Sequence, residues 1–324
     1  MVIVLGGVFL TRYGDAIADK TGLGGSWIGL VLVATVTSLP ELVAGVSAVT
    51  VAVAPDVAVG NVLGACTANL LILALMDFLK RGTPVYASVG GEHVLTAGFS
   101  ILLLGTAGVG LALPHGGLPL PGGLALHSLL LIFVYLISIA VMHRYQRQQV
   151  AVFTDEEPDA FPGLSLRQVG LRYAAAGAVV VAAGIWLPFA TVDVAALLGW
   201  HHSLAGTVLT ALVTTLPELV VTLAALRLGA VDMAVGSLLG SNLFNVVLLA
   251  VDDAAYAPGP LLAAVSPAHL VTAMLAMTMT GTALIALYYR SKQRWLRRGD
   301  WPSLLLAVLY VANVLLMYQA SRLA

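Results

Sequence analysis

Thr37-Ser38-Leu39-Pro40-Glu41 lies in the middle of an apolar run that extends from Trp27 to Val53. A proline and a carboxylate at that depth are both costly. Pro40 removes a backbone hydrogen bond and breaks a helix, and the charge of Glu41 must be paired, coordinated or neutralised. The chain carries the pattern twice: Thr214-Thr215-Leu216-Pro217-Glu218 sits in a second apolar run, Ser203 to Leu226. Two such defects, at matching places in two halves of one chain, predict a site at the midplane of a bilayer.

The rest of the chain fits that setting. Apolar residues make up 60% of it and charged residues 10%, and the mean hydropathy is +0.98, far from soluble globular averages. Mostly apolar stretches of about 18 residues or more recur along the whole length, which predicts an all-α polytopic membrane protein. The alternating segments of a transmembrane β-barrel are absent. A net charge of −1 gives no sign of a nucleic-acid partner. The single cysteine, Cys66, excludes an internal disulfide and a thiolate metal cluster. Met1 to Phe9 is apolar at once, so no cleavable signal peptide is expected. No nucleotide-binding motif is present, which excludes a primary pump.

Ten transmembrane segments are predicted, at 1–19, 26–53, 56–76, 93–113, 122–143, 168–189, 203–226, 231–251, 264–289 and 302–321. Residues 144–167, with the acidic cluster Asp155, Glu156, Glu157 and Asp159, read as a solvated linker between two five-helix halves, 1–143 and 168–324. If the segments alternate, Lys20, Lys80, Arg81, Arg144, Arg147, Arg167, Arg172, Arg227 and the basic run Arg290 to Arg298 all fall on one side. That bias places the linker in the cytoplasm and both termini outside. Because five is odd, the halves enter the membrane in opposite senses and form an inverted repeat.

The repeat is legible residue by residue. Pro40 and Glu41 map onto Pro217 and Glu218, and Asp56, Gly60, Gly64 and Asn69 map onto Asp232, Gly236, Gly240 and Asn245. Asp56 and Asp232 are expected to cap their helices. The glycine pairs predict faces that let helices approach closely. Asn69 and Asn245 then fall about 20 Å into their helices, near the depth of the broken segments.

By this segmentation Glu41 and Glu218 are the only mid-span acids, and no Lys, Arg or His lies at their depth in the same helices to pair them. Around them stand the hydroxyls of Thr37, Ser38, Thr214, Thr215 and Ser241, the amides of Asn69 and Asn245, and carbonyls freed by the two prolines. An all-oxygen cavity suits hard cations such as calcium, sodium or magnesium rather than thiophilic metals. Two carboxylates neutralise one divalent ion, or serve several monovalent ions or protons instead. That competition is the basis of exchange.

These two blocks resemble the alpha repeats of the cation/calcium antiporter superfamily, in particular the prokaryotic sodium/calcium exchangers. The stretches that carry the resemblance are Thr37 to Glu41 with Gly60-Asn61-Val62-Leu63-Gly64, and Thr214 to Glu218 with Gly236-Ser237-Leu238-Leu239-Gly240-Ser241-Asn242-Leu243-Phe244-Asn245. The resemblance implies outward calcium flow driven by inward sodium, by alternating access, with the first and sixth helices sliding over a fixed core. It implies Glu41 and Glu218 as central ligands, with Thr37, Ser38, Thr214, Thr215 and Ser241 lining ion subsites beside backbone oxygens near Ala34 and Ala211. It further implies calcium and sodium as transported ions, no cofactor, no nucleic-acid partner, a lipid bilayer of a prokaryotic plasma membrane, and a monomer. Some positions depart from the family pattern. Val36 and Val213 replace the usual Gly, Ala65 lacks a hydroxyl found in relatives, and Asn stands at both positions 69 and 245 where many relatives have one Asp. Asn61 is followed by Val62 and Leu63 rather than by the extra Glu of the proton-coupled branch.

Alternatives in the same class are an exchanger for another cation and a proton-coupled calcium antiporter. An intramembrane enzyme using Glu41 and Glu218 as acid and base would be a different class, but no nucleophile–base pair or metal motif supports it. Asp77 and Asp253 are also repeat-related and read as helix-end interfacial residues, with ion entry as the other possibility. The seven histidines show no zinc-site spacing.

Overall fold

The computed structural model describes residues 5, 9, 12, 13, 16, 20, 37–118, 120, 124–150, 163–229, 231–291, 294–295 and 299–323. Most of the first predicted segment, residues 26–36 of the second with Ala34 and Val36, and the acidic linker cluster lie outside the described residues. The helices are α1 Leu39–Thr50, α2 Pro55–Leu79, α3 Glu92–Ala112, α4 Leu126–Val150, α5 Leu166–Leu198, α6 His202–Thr214, α7 Leu216–Leu228, α8 Val231–Ala255, α9 His269–Tyr289 and α10 Trp301–Leu323. Among the described residues, seven are long and apolar enough to cross a membrane, and α6 with α7 passes the same test as a pair bent by 40°.

Both expected breaks have the same backbone shape. Ser38, before α1, has φ −87° and ψ 7°, and Thr215, before α7, has φ −82° and ψ 2°. Each proline falls in the first turn of the helix that follows, where its missing N–H leaves no bond unmade within that helix. The segment expected at 168–189 is longer, because α5 runs for 33 residues through Pro188. Its end is set instead by Gly199, whose φ of 64° closes the last turn.

Helices α2 and α8 form the centre, with 78% and 89% of their apolar windows buried, against 12% for α5 and 22% for α10. They pack against each other antiparallel, and two apolar clusters reveal the direction. One cluster joins Val57 to Cys66 of α2 to Leu243 to Ala250 of α8, and the other joins Leu70 to Met76 to Ala234 to Leu239. Between the clusters lies a polar belt, Thr67 and Asn69 on α2 with Ser241 and Asn242 on α8, all buried. The outer helices turn Phe133, Leu136, Leu171, Trp186, Val311 and Leu315 outward, as lipid contact requires. Tyr288, Tyr289, Trp295 and Trp301 line an apolar cleft at the end of α9, suited to a membrane interface.

Glycine lets α2 approach the broken helix closely. A Cβ on Gly60 would stand 2.8 Å from the Thr207 nitrogen, and one on Gly64 would stand 2.7 Å from the Ala211 Cβ. The backbone of α6 widens here into a π-turn, Gly206–Thr210.

Acidic residues at helix ends tie one part of the chain to another. Asp77 accepts from Val85 N at 2.9 Å and from Asp300 N and Ser303 Oγ, each at 2.9 Å. Asp253 accepts from Leu261 N at 2.7 Å, Ala125 N at 3.0 Å and Ser128 Oγ at 2.6 Å. The two sets match position for position, and each carboxylate holds the start of a helix distant in sequence, α10 for Asp77 and α4 for Asp253. Asp56 and Asp232 do not cap their own helices as expected. Asp56 accepts from Ser266 N at 2.7 Å and pairs with His269 at 3.0 Å; Asp232 accepts from Gly90 N at 2.6 Å and pairs with His93 at 3.1 Å. The competing partners lie across the bundle, so a purely local capping argument misses them.

Candidate cation site

The two breaks meet at the polar belt. Glu41 and Glu218 are buried, and none of their four carboxylate oxygens has a hydrogen-bond partner among the described residues. No ion pair among the described residues reaches either of them. Two buried carboxylates without a partner among the described residues must be met by a cation or neutralised by a proton, because an uncompensated charge in a low-dielectric interior costs several kcal/mol.

Each break is tied to a central helix distant in sequence, the first to α8 and the second to α2. Thr37 Oγ1 and Ser241 Oγ share a hydrogen bond of 3.2 Å. Thr214 Oγ1 donates to Asn61 Oδ1 at 3.0 Å, and Asn61 Nδ2 donates to the Glu41 carbonyl at 3.2 Å. Asn61 therefore spans from one break to the other. The sequence quoted it only as part of a motif.

The expected amide ligands divide their two ends. Asn69 Nδ2 donates to Asn242 Oδ1 at 3.0 Å, and Asn242 Nδ2 donates to the Cys66 carbonyl at 3.1 Å. The Asn69 Oδ1 is left buried and without a partner among the described residues, so one side chain both links helices and offers an oxygen. Both side-chain polar atoms of Asn245, and Ser38 Oγ, are likewise buried without a partner among the described residues. Asn242, which sequence reasoning did not single out, orients Asn69.

The hydroxyls of the second break are more occupied. Thr215 Oγ1 donates to the Ala211 carbonyl at 2.7 Å, and Thr214 Oγ1 lies 3.1 Å from the same oxygen. The Ala211 carbonyl also accepts from Thr215 N at 3.0 Å. It can serve an ion only if these hydroxyls turn away. The first break, with Ser38 Oγ unpartnered, is the readier of the two.

One acid escaped the sequence reading. Asp252 was placed beyond the predicted segment 231–251, yet α8 continues to Ala255 and buries it completely.

The sodium/calcium exchanger protein family model matches residues 1–139 and 170–319. The chain belongs to this family. Like other members of the cation/calcium antiporter superfamily, it is an integral membrane protein of a class that exchanges ions. Inner membrane protein YrbG of Escherichia coli is 30% identical over 239 residues, covering 72% of this chain and 70% of YrbG. Sodium/calcium exchanger MaX1 of Methanosarcina acetivorans is 32% identical over 124 residues, 38% of this chain and 33% of MaX1. Of solved structures, the sodium-calcium exchanger NCX_Mj matches with a TM-score of 0.62 at 20% identity, covering 97% of this chain and 94% of that one. The H+/Ca2+ exchanger CAX matches with a TM-score of 0.74 at 17% identity, covering 99% and 82%. At such identities the likeness is one of fold.

Proposed function

We propose that this antiporter exchanges calcium for sodium by alternating access around Glu41 and Glu218. The observation that carries the reading is the set of four buried carboxylate oxygens without a partner among the described residues, at the meeting point of two broken helices. Calcium, a hard cation, is held by the two carboxylates with Ser38 Oγ, the Asn69 and Asn245 amide oxygens and hydroxyls of Thr37, Thr214, Thr215 and Ser241 around them. Sodium ions compete for the same oxygens, since two negative charges bind one divalent ion or more than one monovalent ion. Asn61 and Asn242 position the ligands and carry no ion themselves.

The architecture we propose is ten spans in two inverted five-helix repeats, 1–143 and 168–324, joined by a cytoplasmic linker at 144–167. It is supported by the offset of about 176 residues at which sequence motifs and helix-end hydrogen bonds recur. The termini lie outside a prokaryotic plasma membrane, and the chain works as a monomer. Helix α5 is the mobile outer element on the second side. Its support is its slight burial and the two polar ties that hold it, Ser47 Oγ to the Ile185 carbonyl at 3.0 Å and Thr191 to Thr210 at 2.8 Å.

Proteoliposomes test the reading. Calcium-45 uptake should follow an outward sodium gradient and fall at least about 100-fold in Glu41→Gln and in Glu218→Gln, since each change removes a charge the ion needs. Uptake that ignores sodium and follows a proton gradient would replace sodium coupling with proton coupling. No cation flux under any gradient would end the exchanger reading for these residues.

A further inference from the structure

Asp252 is fully buried in the last turn of α8, and both of its carboxylate oxygens lack a hydrogen-bond partner among the described residues. It lies against α1. A Cβ on Gly45 would stand 2.6 Å from Asp252 Oδ2 and 2.7 Å from Oδ1, so the recess that holds the carboxylate exists because residue 45 has no side chain. That contact also fixes its position relative to the central site. Gly45 follows Glu41 by four residues, so the two share a face of α1, about 6 Å apart along the axis. Asp252 is therefore the next carboxylate along that face, between Glu41 and the membrane surface where α1 and α8 end.

The repeat-equivalent position carries no such group. The repeat-equivalent of Asp252 is Met76 and that of Gly45 is Thr222, both buried. The fold thus accepts an apolar side chain at this register, and the Asp–Gly combination is peculiar to one side. A buried carboxylate that no described protein group pairs, with a glycine recess built for it, calls for a positively charged partner.

We propose that Asp252 is an additional cation-binding residue, a relay site for the transported ion one helical turn from Glu41. The relay rests on the exchanger reading above. It makes the two access routes unequal: an ion arriving from the surface where α1 and α8 end meets a carboxylate before it reaches Glu41, and an ion arriving from the opposite surface does not. Asp252 gains its effect by raising the local cation concentration at that entrance, so its removal acts on apparent affinity at one face.

The experiment is calcium-45 transport in proteoliposomes of uniform orientation, with calcium varied separately on each side. For Asp252→Asn the half-saturating calcium concentration should rise about tenfold at the face where α1 and α8 end, and change less than about twofold at the other. Gly45→Ala, which a helix accepts readily, should give the same one-sided rise by pushing a methyl into the carboxylate recess. It also decides the matter if Asp252→Asn does not fold. Unchanged affinities in the variants, or an equal shift at both faces, would overturn the relay while leaving exchange at Glu41 and Glu218 intact. Absence of flux in the unsubstituted protein would overturn both.

Discussion

Thr37 and Thr214 occupy equivalent positions before the two breaks, yet they bond different kinds of side chain. Thr37 meets the hydroxyl of Ser241 at 3.2 Å, whereas Thr214 donates to the amide oxygen of Asn61 at 3.0 Å. The repeat-equivalent of Ser241 is Ala65, which is buried and has no hydroxyl to offer. Thr214 turns to the nearest acceptor instead, and its oxygen is committed there and to carbonyls of its own helix. The proposed site is thereby lopsided, with a hydroxyl pair on one side and a hydroxyl–amide pair on the other. Restoring the pair should strengthen sodium binding at the second break. In Ala65→Ser, the sodium concentration that halves calcium-45 uptake should fall about fivefold, as expected for one added ligand of about 1 kcal/mol. An unchanged or higher sodium requirement would show that the missing hydroxyl at position 65 does not limit sodium binding.

Among the described elements, α5 is the least buried of the long helices. Its buried polar links to neighbours include Thr191 to Thr210 on α6, and Ser47 to the Ile185 carbonyl from α1. If α5 slides during transport, these bonds must break and re-form. Cysteines at Thr191 and Thr210 stand close enough for a disulfide, since their hydroxyl oxygens are 2.8 Å apart. Oxidised Thr191→Cys/Thr210→Cys protein should lose exchange more than about tenfold and regain it on reduction, while equilibrium calcium binding persists. Undiminished exchange in the crosslinked form would make α5 part of the static scaffold. Elements of this kind differ in how plainly the chain announces them. The breaks at Ser38 and Thr215 were legible because proline acts locally, on the turn in which it sits. The close approach of α2 to the broken helix was legible in Gly60 and Gly64. The length of α5 was not legible, because Pro188 looks like an end and the helix continues through it to Gly199. Asn61, Asn242 and Asp252 were overlooked for a different reason. Their roles come from contacts with residues such as Thr214, Asn69 and Gly45, far away in sequence, and no local pattern records them. The same holds for His93 and His269, whose partners Asp232 and Asp56 are 139 and 213 residues distant.

At the scale of the molecule, the helix-end aspartates act as crosspieces between distant parts of the chain. Asp77 fixes the start of α10, and Asp253 fixes the start of α4. Each carboxylate receives two backbone N–H groups and one serine hydroxyl, so these helix-end residues, read from sequence as interfacial, cap the start of a distant helix. Charged acceptors make such bonds worth about 1.5–3 kcal/mol each, and their loss leaves buried donors without partners. Exchanging either aspartate for asparagine keeps the shape but turns one acceptor into a donor facing a donor. Asp253→Asn should therefore cost on the order of 3 kcal/mol. Asp77→Asn should cost more, because Arg294, whose guanidinium lies 3.5 Å from Asp77 and is itself largely buried, loses its counter-charge. Unfolding temperatures in detergent should fall in the order unsubstituted protein, Asp253→Asn, Asp77→Asn. Calcium affinity per folded molecule should stay within about twofold, because neither aspartate touches the proposed ligands. If Asp253→Asn were instead the more damaging change, Arg294 would not be counting as a partner of Asp77. If either variant folded normally but lost calcium affinity, that aspartate would belong to an ion route and not to the frame.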